Sequence, residues 1–100
     1  CFMNIFEFRE YIEENLEKEK FLKSIEQRII SSNIEVEEDY RVPEKRIHIV
    51  AENVYKQMIE NTYQKVLKNL NKKEKNSREA WINKINSLEI LDEMERSLYE

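Results

Sequence analysis

His48 is the only histidine of this 100-residue chain, and Glu44 lies four residues before it, so a helix would place both side chains on one face. An imidazole beside a carboxylate could begin a metal site or a general acid-base pair. A catalytic zinc needs three protein ligands, however, and a di-iron bundle needs two Glu-x-x-His motifs. One histidine completes neither set, so we interpret His48 as a partly packed residue near an acid.

Nucleophilic catalysis also lacks the necessary partners. Cys1 is terminal, no second histidine exists, and the serines cluster in segments that we expect to be connections, so no Ser/His/Asp or Cys/His arrangement can be assembled. A glycine-rich phosphate loop is excluded because the chain contains no glycine. The sequence therefore predicts a protein that is not an enzyme and that uses no cofactor and no metal.

The composition is typical of helices joined by few connections. The chain has no glycine and one proline, Pro43, while good or fair helix formers such as Glu, Lys, Leu and Ile dominate. Hydrophobic residues make up 40% of the chain, enough for one modest core at this length. We predict a single all-α domain over residues 1–100, a small bundle of three or four helices, with the helix after Pro43 at its centre.

Apolar residues recur at spacings of three and four along three segments. The first segment runs over residues 4–30, with a polar interruption at Glu17–Lys20 where we expect a break. The central helix follows Pro43, and the last helix is predicted to continue without a break to Leu98. The large aromatic residues that we assign to the core are Phe8, Tyr55 and Trp81.

The connections have local signals of their own. The cluster Ser31–Asn33 predicts the end of the first helical segment, and the short alternation Ile34–Val36 is interpreted as an extended loop because it has no partner strand. Asn76, with Glu79 three residues later, predicts a capping box at the start of the last helix.

Charge is distributed unevenly along the chain. Residues 1–44 carry a net charge of −6, residues 45–78 carry +6 and residues 79–100 carry −4. This basic block can be a patch for a phosphate backbone or an acidic partner, or a solvated helix end balanced by the acidic outer helices. The net charge of −4 favours the second interpretation and makes nucleic acid the least favoured partner. The block is concentrated in Lys65, Lys68, Lys72, Lys73, Lys75 and Arg78.

The start of the chain bears on its processing and location. A chain that opens with Cys1 looks trimmed from a longer polypeptide, or resembles a mature lipoprotein, although Phe2 and Met3 differ from a flexible polar tether. No apolar run reaches the roughly 18 residues of a membrane span, and no secretory signal is present. We therefore expect a cytoplasmic module of a longer chain without a membrane span.

Two segments resemble the regulator of G-protein signalling domain. The first is "FREYIEENLE", residues 8–17, and the second is "VYKQMIENTYQKVLKN", residues 54–69. They occur in the same order as in that family, but Lys18-Glu19 replaces its Phe-Trp pair and Gln64 replaces its proline. The matching positions of the second segment are Val54, Tyr55, Met58, Asn61, Thr62, Tyr63, Lys65, Leu67 and Lys68.

The resemblance implies a helical bundle that binds the switch regions of a Gα subunit and accelerates GTP hydrolysis by holding them in their transition-state form. Such a regulator contributes contacts and no catalytic group. The positions that the resemblance assigns to the contact are Glu14, Asn15, Asn61, Thr62 and Lys65. We therefore expect a non-enzymatic protein-interaction module, with a structural domain that self-associates as the alternative and a nucleic-acid binder as the third possibility.

Overall fold

The computed structural model describes residues 2–97, and every regular element within that range is helical. The prediction of an all-α fold is confirmed, but the predicted number of helices is too low because the last predicted helix is divided in two. Cys1 and Leu98 lie outside the described residues. The α-helices are α1 (Ile5–Asn15), α2 (Lys18–Glu35), α3 (Ile47–Lys68), α4 (Arg78–Ser87) and α5 (Ile90–Ser97). Single turns of 3-10 helix lie at Glu38–Tyr40, Glu44–Arg46 and Glu74–Asn76.

Helices α1 and α2 are separated by two extended residues. Leu16 has φ −133° and ψ 131°, and Glu17 has φ −74° and ψ 90°. The break lies at the N-terminal edge of the predicted Glu17–Lys20 interruption. The extended backbone turns Leu16 into the core, where it is buried. Helix α1 itself starts with a capping box, in which Asn4 and Glu7 each accept a hydrogen bond from the other's backbone N–H.

The predicted end of the first helical segment and the predicted start of the last helix are both wrong. In each case a polar side chain forms a different hydrogen bond from the one that the local sequence suggested. Helix α2 continues through Ser31–Asn33 to Glu35, so Ile34 is helical and not part of an extended loop. The Asn33 side chain exchanges two hydrogen bonds of 2.9 Å with the backbone of Val42 instead of ending the helix. Helix α4 is capped by Ser77, whose hydroxyl accepts from the Ala80 N–H, and not by Asn76.

The last predicted helix breaks at Leu88 and Glu89. Glu89 has φ 54°, the left-handed conformation, and its N–H donates to the Asn86 carbonyl to close the end of α4. A non-glycine residue in this conformation is uncommon, so the apolar pattern on either side did not reveal the turn. The turn redirects the chain so that Ile90 and Met94 of α5 are buried.

Helix α3 is central, as predicted, and packs against α1, α2 and α4. Its buried face repeats at spacings of four and three, the period of a helix. On the flank of this face, Val50 and Met58 are only partly covered, and Val54 is exposed. The buried positions of α3 and the residues just after it are Ile47, Ala51, Tyr55, Ile59, Tyr63, Val66 and Leu70.

Aromatic rings fill the core beside the C-terminal half of α3. Trp81 stacks on Tyr63 with ring centroids 5.3 Å apart, and Phe8 packs edge-on against both rings. The Tyr63 hydroxyl donates to the Met3 carbonyl at 2.8 Å, and Trp81 Nε1 donates to the Lys75 carbonyl at 2.9 Å. The polar atoms of these rings are therefore satisfied although the rings are buried. The predicted core residues Phe8, Tyr55 and Trp81 are confirmed, each with 0% exposure.

A second cluster joins α1 to the middle of α3. The Tyr55 hydroxyl donates to Glu13 Oε2 at 2.8 Å, and Arg9 Nε donates to the same oxygen at 3.1 Å. Lys18 Nζ lies 3.7 Å from that oxygen and 5.5 Å from the centre of the Tyr55 ring. Burial alone raises the pKa of Glu13, but the hydrogen bonds from Tyr55 and Arg9 and the two positive charges outweigh it and lower the pKa.

Replacing Trp81 by alanine is expected to lower the free energy of unfolding by about 3–5 kcal/mol, because it empties a fully buried site between Tyr63 and Phe8. Urea denaturation measures this loss. The control Phe6→Ala, at a residue 78% exposed on α1, is expected to change the free energy by less than about 0.5 kcal/mol. Equal losses in the two variants would show that Trp81 is not in the core.

Tyr55→Phe removes the hydroxyl donor of Glu13 without changing the ring, and is expected to cost about 1 kcal/mol near neutral pH. The lowered pKa of Glu13 means that its ionised form stabilises the fold above its ordinary pKa of 4.5, and that this contribution is lost as pH falls through the lowered value. The difference between wild type and variant should therefore shrink as the pH falls below 4.5 and through the lowered pKa of Glu13. A difference that stays constant between neutral and acidic pH, in paired urea titrations with Tyr11→Phe as the control, would contradict this role of Glu13.

Candidate functional site

Three of the predicted contact residues line one groove between α3 and α5. Asn61, Thr62 and Lys65 form the α3 side of this groove, which has a volume of about 560 Å³. Met58 and the buried residues Ile90 and Met94 supply its apolar part, and α5 supplies the opposite polar wall. We call this the α3–α5 groove. Its α5 wall consists of Glu93, Arg96 and Ser97.

The α3 side of the groove is set by the helical repeat. Positions 61 and 62 each lie three or four residues from both 58 and 65, so the four side chains share a face. The Thr62 hydroxyl donates to the Met58 carbonyl at 2.6 Å, and Asn61 Oδ1 accepts from Gln57 Nε2 at 2.9 Å. Gln64 has the backbone N–H that a proline lacks, so α3 continues through this segment without interruption.

An ion pair crosses the groove. Lys65 Nζ donates to Glu93 Oε2 at 2.9 Å, and both side chains are about half exposed. The hydrogen bond from Lys65 and its positive charge lower the pKa of Glu93, so Glu93 stays ionised below its usual range. The C-terminal end of α5 is also attached to α2, because Arg28 Nη1 donates to the Ser97 carbonyl at 2.6 Å.

Glu14 and Asn15 lie elsewhere, at the exposed end of α1. Asn15 Nδ2 donates to the Tyr11 carbonyl at 2.9 Å, and Asn15 lines a separate groove with Phe21 and Glu95. Glu14 lies at the turn between α1 and α2. Successive helical residues point about 100° apart, so Glu95 projects from a different flank of α5 than Glu93. The structure therefore places the five predicted residues on two sites, with α5 contributing to both grooves.

The sequence did not reveal the α5 wall of the groove. Glu93 and Arg96 belong to α5 only because the chain turns at Glu89, and no local signal indicated that turn. Lys65 had been assigned to a basic block whose charge is balanced collectively, but it has one specific acidic partner. Of that block, Lys65 alone forms an ion pair within residues 2–97.

A second, more apolar groove lies between α2 and α3. Its volume is about 370 Å³, and it shares Met58 and Ser97 with the α3–α5 groove. The charged residue Arg28 and the polar residues Ser32, Asn33 and Ser97 also line it. We call this the α2–α3 groove, and its apolar residues are Ile25, Ile29, Val36, Tyr40, Val42, Val54 and Met58.

His48 is more exposed than the sequence suggested, with 63% of its side chain accessible. It lies 3.8 Å from Glu26 and 3.7 Å from Glu52, and these two acids take the place of the expected neighbour Glu44. Within residues 2–97, no three His, Cys, Asp or Glu side chains are grouped closely enough to hold a metal ion. No helix in the same range is both long and apolar enough to cross a membrane.

Comparison of the chain with protein-family models, with curated proteins and with solved structures finds no match. The candidate site is therefore defined by its geometry, as the groove that Asn61, Thr62 and Lys65 line together with α5.

Lys65→Ala is expected to raise the pKa of Glu93 toward its ordinary value of 4.5, because it removes the hydrogen bond and the charge that lower this pKa. A carboxyl titration followed by NMR measures the change. Lys56→Ala, at an exposed lysine of the same helix, removes the same charge outside the groove and should leave the pKa of Glu93 unchanged. An unchanged pKa of Glu93 in Lys65→Ala would show that the ion pair does not form in solution.

Proposed function

We propose that this chain is a non-enzymatic protein-interaction module and that the α3–α5 groove is its contact surface. The observation that carries the proposal is that Asn61, Thr62 and Lys65, three of the contact positions that the resemblance implies, line one groove. The groove combines an apolar floor with a polar rim, the usual anatomy of a protein interface. Methionine and arginine, which are enriched in interfaces, are both present as Met58, Met94 and Arg96.

The specific partner that we propose is a Gα subunit in its transition-state form. The resemblance supports this choice, and the groove offers groups that can hold a polar loop. Asn61 and Thr62 provide amide and hydroxyl groups, and Lys65 provides a cation. In this proposal the chain stabilises the switch loops of Gα by contact, and the catalytic groups belong to Gα. Lys65 is held by Glu93 in the free chain, so partner binding exchanges or shares this ion pair.

The test is a calorimetric titration of the chain into a Gα subunit in two states, GDP with aluminium fluoride and GDP alone. Selective binding to the aluminium fluoride state is expected. Asn61→Ala and Lys65→Glu are each expected to weaken it at least about tenfold, a loss of about 1.4 kcal/mol. Both residues are exposed, so the helix content measured by circular dichroism should stay unchanged.

The same helix offers matched controls. Asn53→Ala and Lys56→Glu make the same chemical changes at exposed positions of α3 outside the groove, and they should bind as the wild type does. Absence of state-selective binding to any Gα subunit tested would contradict the Gα assignment. Equal losses in the groove variants and the controls would contradict the α3–α5 groove as the contact surface.

The second candidate function is a structural domain that associates with copies of itself. It is favoured by large apolar residues that lie on the surface, since Ile34 is 76% exposed and Tyr40 is 78% exposed. Nucleic-acid binding has less support, because Tyr63, the aromatic residue nearest the basic block in sequence, is buried and offers no face for stacking.

A further inference from the structure

The long axis of the molecule follows α3. Helix α3 contains 22 residues and is therefore about 33 Å long, whereas the molecule extends only 21 Å in each of its two shorter dimensions and 51 Å in the third. A helix of this length cannot lie across the short dimensions. The connection before α3 and the connection after it consequently lie toward opposite ends of an elongated molecule.

These two ends carry opposite charge. Residues 35–46, which we call the acidic end, hold five acidic residues and the three basic residues Arg41, Lys45 and Arg46, a net charge of −2. Residues 68–78, which we call the basic end, hold five basic residues and Glu74, a net charge of +4. The acids are Glu35, Glu37, Glu38, Asp39 and Glu44, and the bases are Lys68, Lys72, Lys73, Lys75 and Arg78.

The charged side chains of the two ends lie outside the ion pairs of the described residues. Within residues 2–97, the ion pairs involve none of the five acids of the acidic end and none of the five bases of the basic end. Arg41 donates to the Val36 carbonyl and not to one of the acids around it. We expected the acidic outer helices to balance the charge of the basic block. Within residues 2–97, Lys65 forms an ion pair with an acid of α5, but the five bases of the basic end form none.

Each end also presents an apolar contact. At the acidic end, the α2–α3 groove is lined by Val36, Tyr40 and Val42, and most of the Tyr40 side chain is exposed. At the basic end, Phe2 packs edge-on against Trp81 at 5.9 Å but remains 47% exposed. Trp81 in turn donates to the Lys75 carbonyl, which places Phe2 beside the basic connection.

We propose that the basic end of one copy of this chain docks on the acidic end of the next copy, at the α2–α3 groove. The partner is a second copy because the two ends have net charges of opposite sign and because each carries exposed apolar surface. Two like ends repel each other, so the contact is head to tail. This inference deepens the second candidate function and does not depend on binding of a Gα subunit at the α3–α5 groove.

The size of the ends determines the strength of the contact. A cross-section of 21 × 21 Å offers on the order of 400 Å² per partner, about half of a standard protein interface. Association is therefore weak and depends on concentration. The charged groups are exposed and screened by salt, so association should weaken at least about tenfold between about 20 mM and about 500 mM salt.

The test is sedimentation velocity of the whole chain over a range of concentrations at low and high salt. The expected result is a mean mass that rises above 12.3 kDa with concentration at low salt and returns to it at high salt. The double variants Glu37→Gln/Glu38→Gln and Lys72→Gln/Lys73→Gln should each remain monomeric under the same conditions. The control Glu10→Gln/Glu19→Gln, at exposed acids outside both ends, should associate as the wild type does.

A mixture of the two monomeric variants distinguishes a head-to-tail contact from other kinds of association. Each variant retains one intact end, so the mixture should form a heterodimer of one copy of each and extend no further.

A wild type that stays monomeric at every salt concentration would overturn both this inference and the self-association function. Association that persists in the variants, or a mixture that remains monomeric, would overturn the head-to-tail contact alone. Retention of a single-stranded oligonucleotide by the basic end, without self-association, would also overturn it.

Discussion

The rest of the structure depends on the need to cover one apolar face of α3. This face runs through Ala51, Tyr55, Ile59, Tyr63 and Val66, and helices α1, α2 and α4 pack around it. Burial of such a face is the main favourable term in the folding of a small helical domain. Burial alone does not orient the segments that cover this face. The two tyrosines do so through hydrogen bonds, because the Tyr55 hydroxyl donates to Glu13 and the Tyr63 hydroxyl donates to the Met3 carbonyl. Together these bonds set the position of α1 along α3.

The more exposed side of the same helix forms the candidate site. Asn61, Thr62 and Lys65 can line a groove because the residues that bury α3 occupy other faces. Helix α5 completes the groove through the ion pair of Lys65 with Glu93 and the hydrogen bond from Arg28 to Ser97. The core therefore positions the contact residues, and the buried Ile90 and Met94 hold the facing helix together with two polar contacts at the surface.

Periodicity was sufficient to predict the features that follow from burial. It correctly indicated the all-α class, the central position of α3 and the core positions of Phe8, Tyr55 and Trp81. It failed where a side chain bonds to a distant or specific backbone group, as Asn33 does with Val42, and where the backbone turns at Glu89. The resemblance assigned Asn61, Thr62 and Lys65 to one contact, and their helical spacing places them on one face. Their facing residues on α5 could not be predicted, because that contact depends on the turn at Glu89.

Native-state hydrogen exchange measures most directly whether α3 is the element on which the fold depends. The account predicts that amides of α3 between Ala51 and Val66 exchange only through global unfolding and show the highest protection of the molecule. Amides of α5, which is eight residues long and has only Ile90 and Met94 buried, should exchange through a local opening of lower free energy. Equal protection of the two helices, or lower protection of α3 than of α5, would contradict the account.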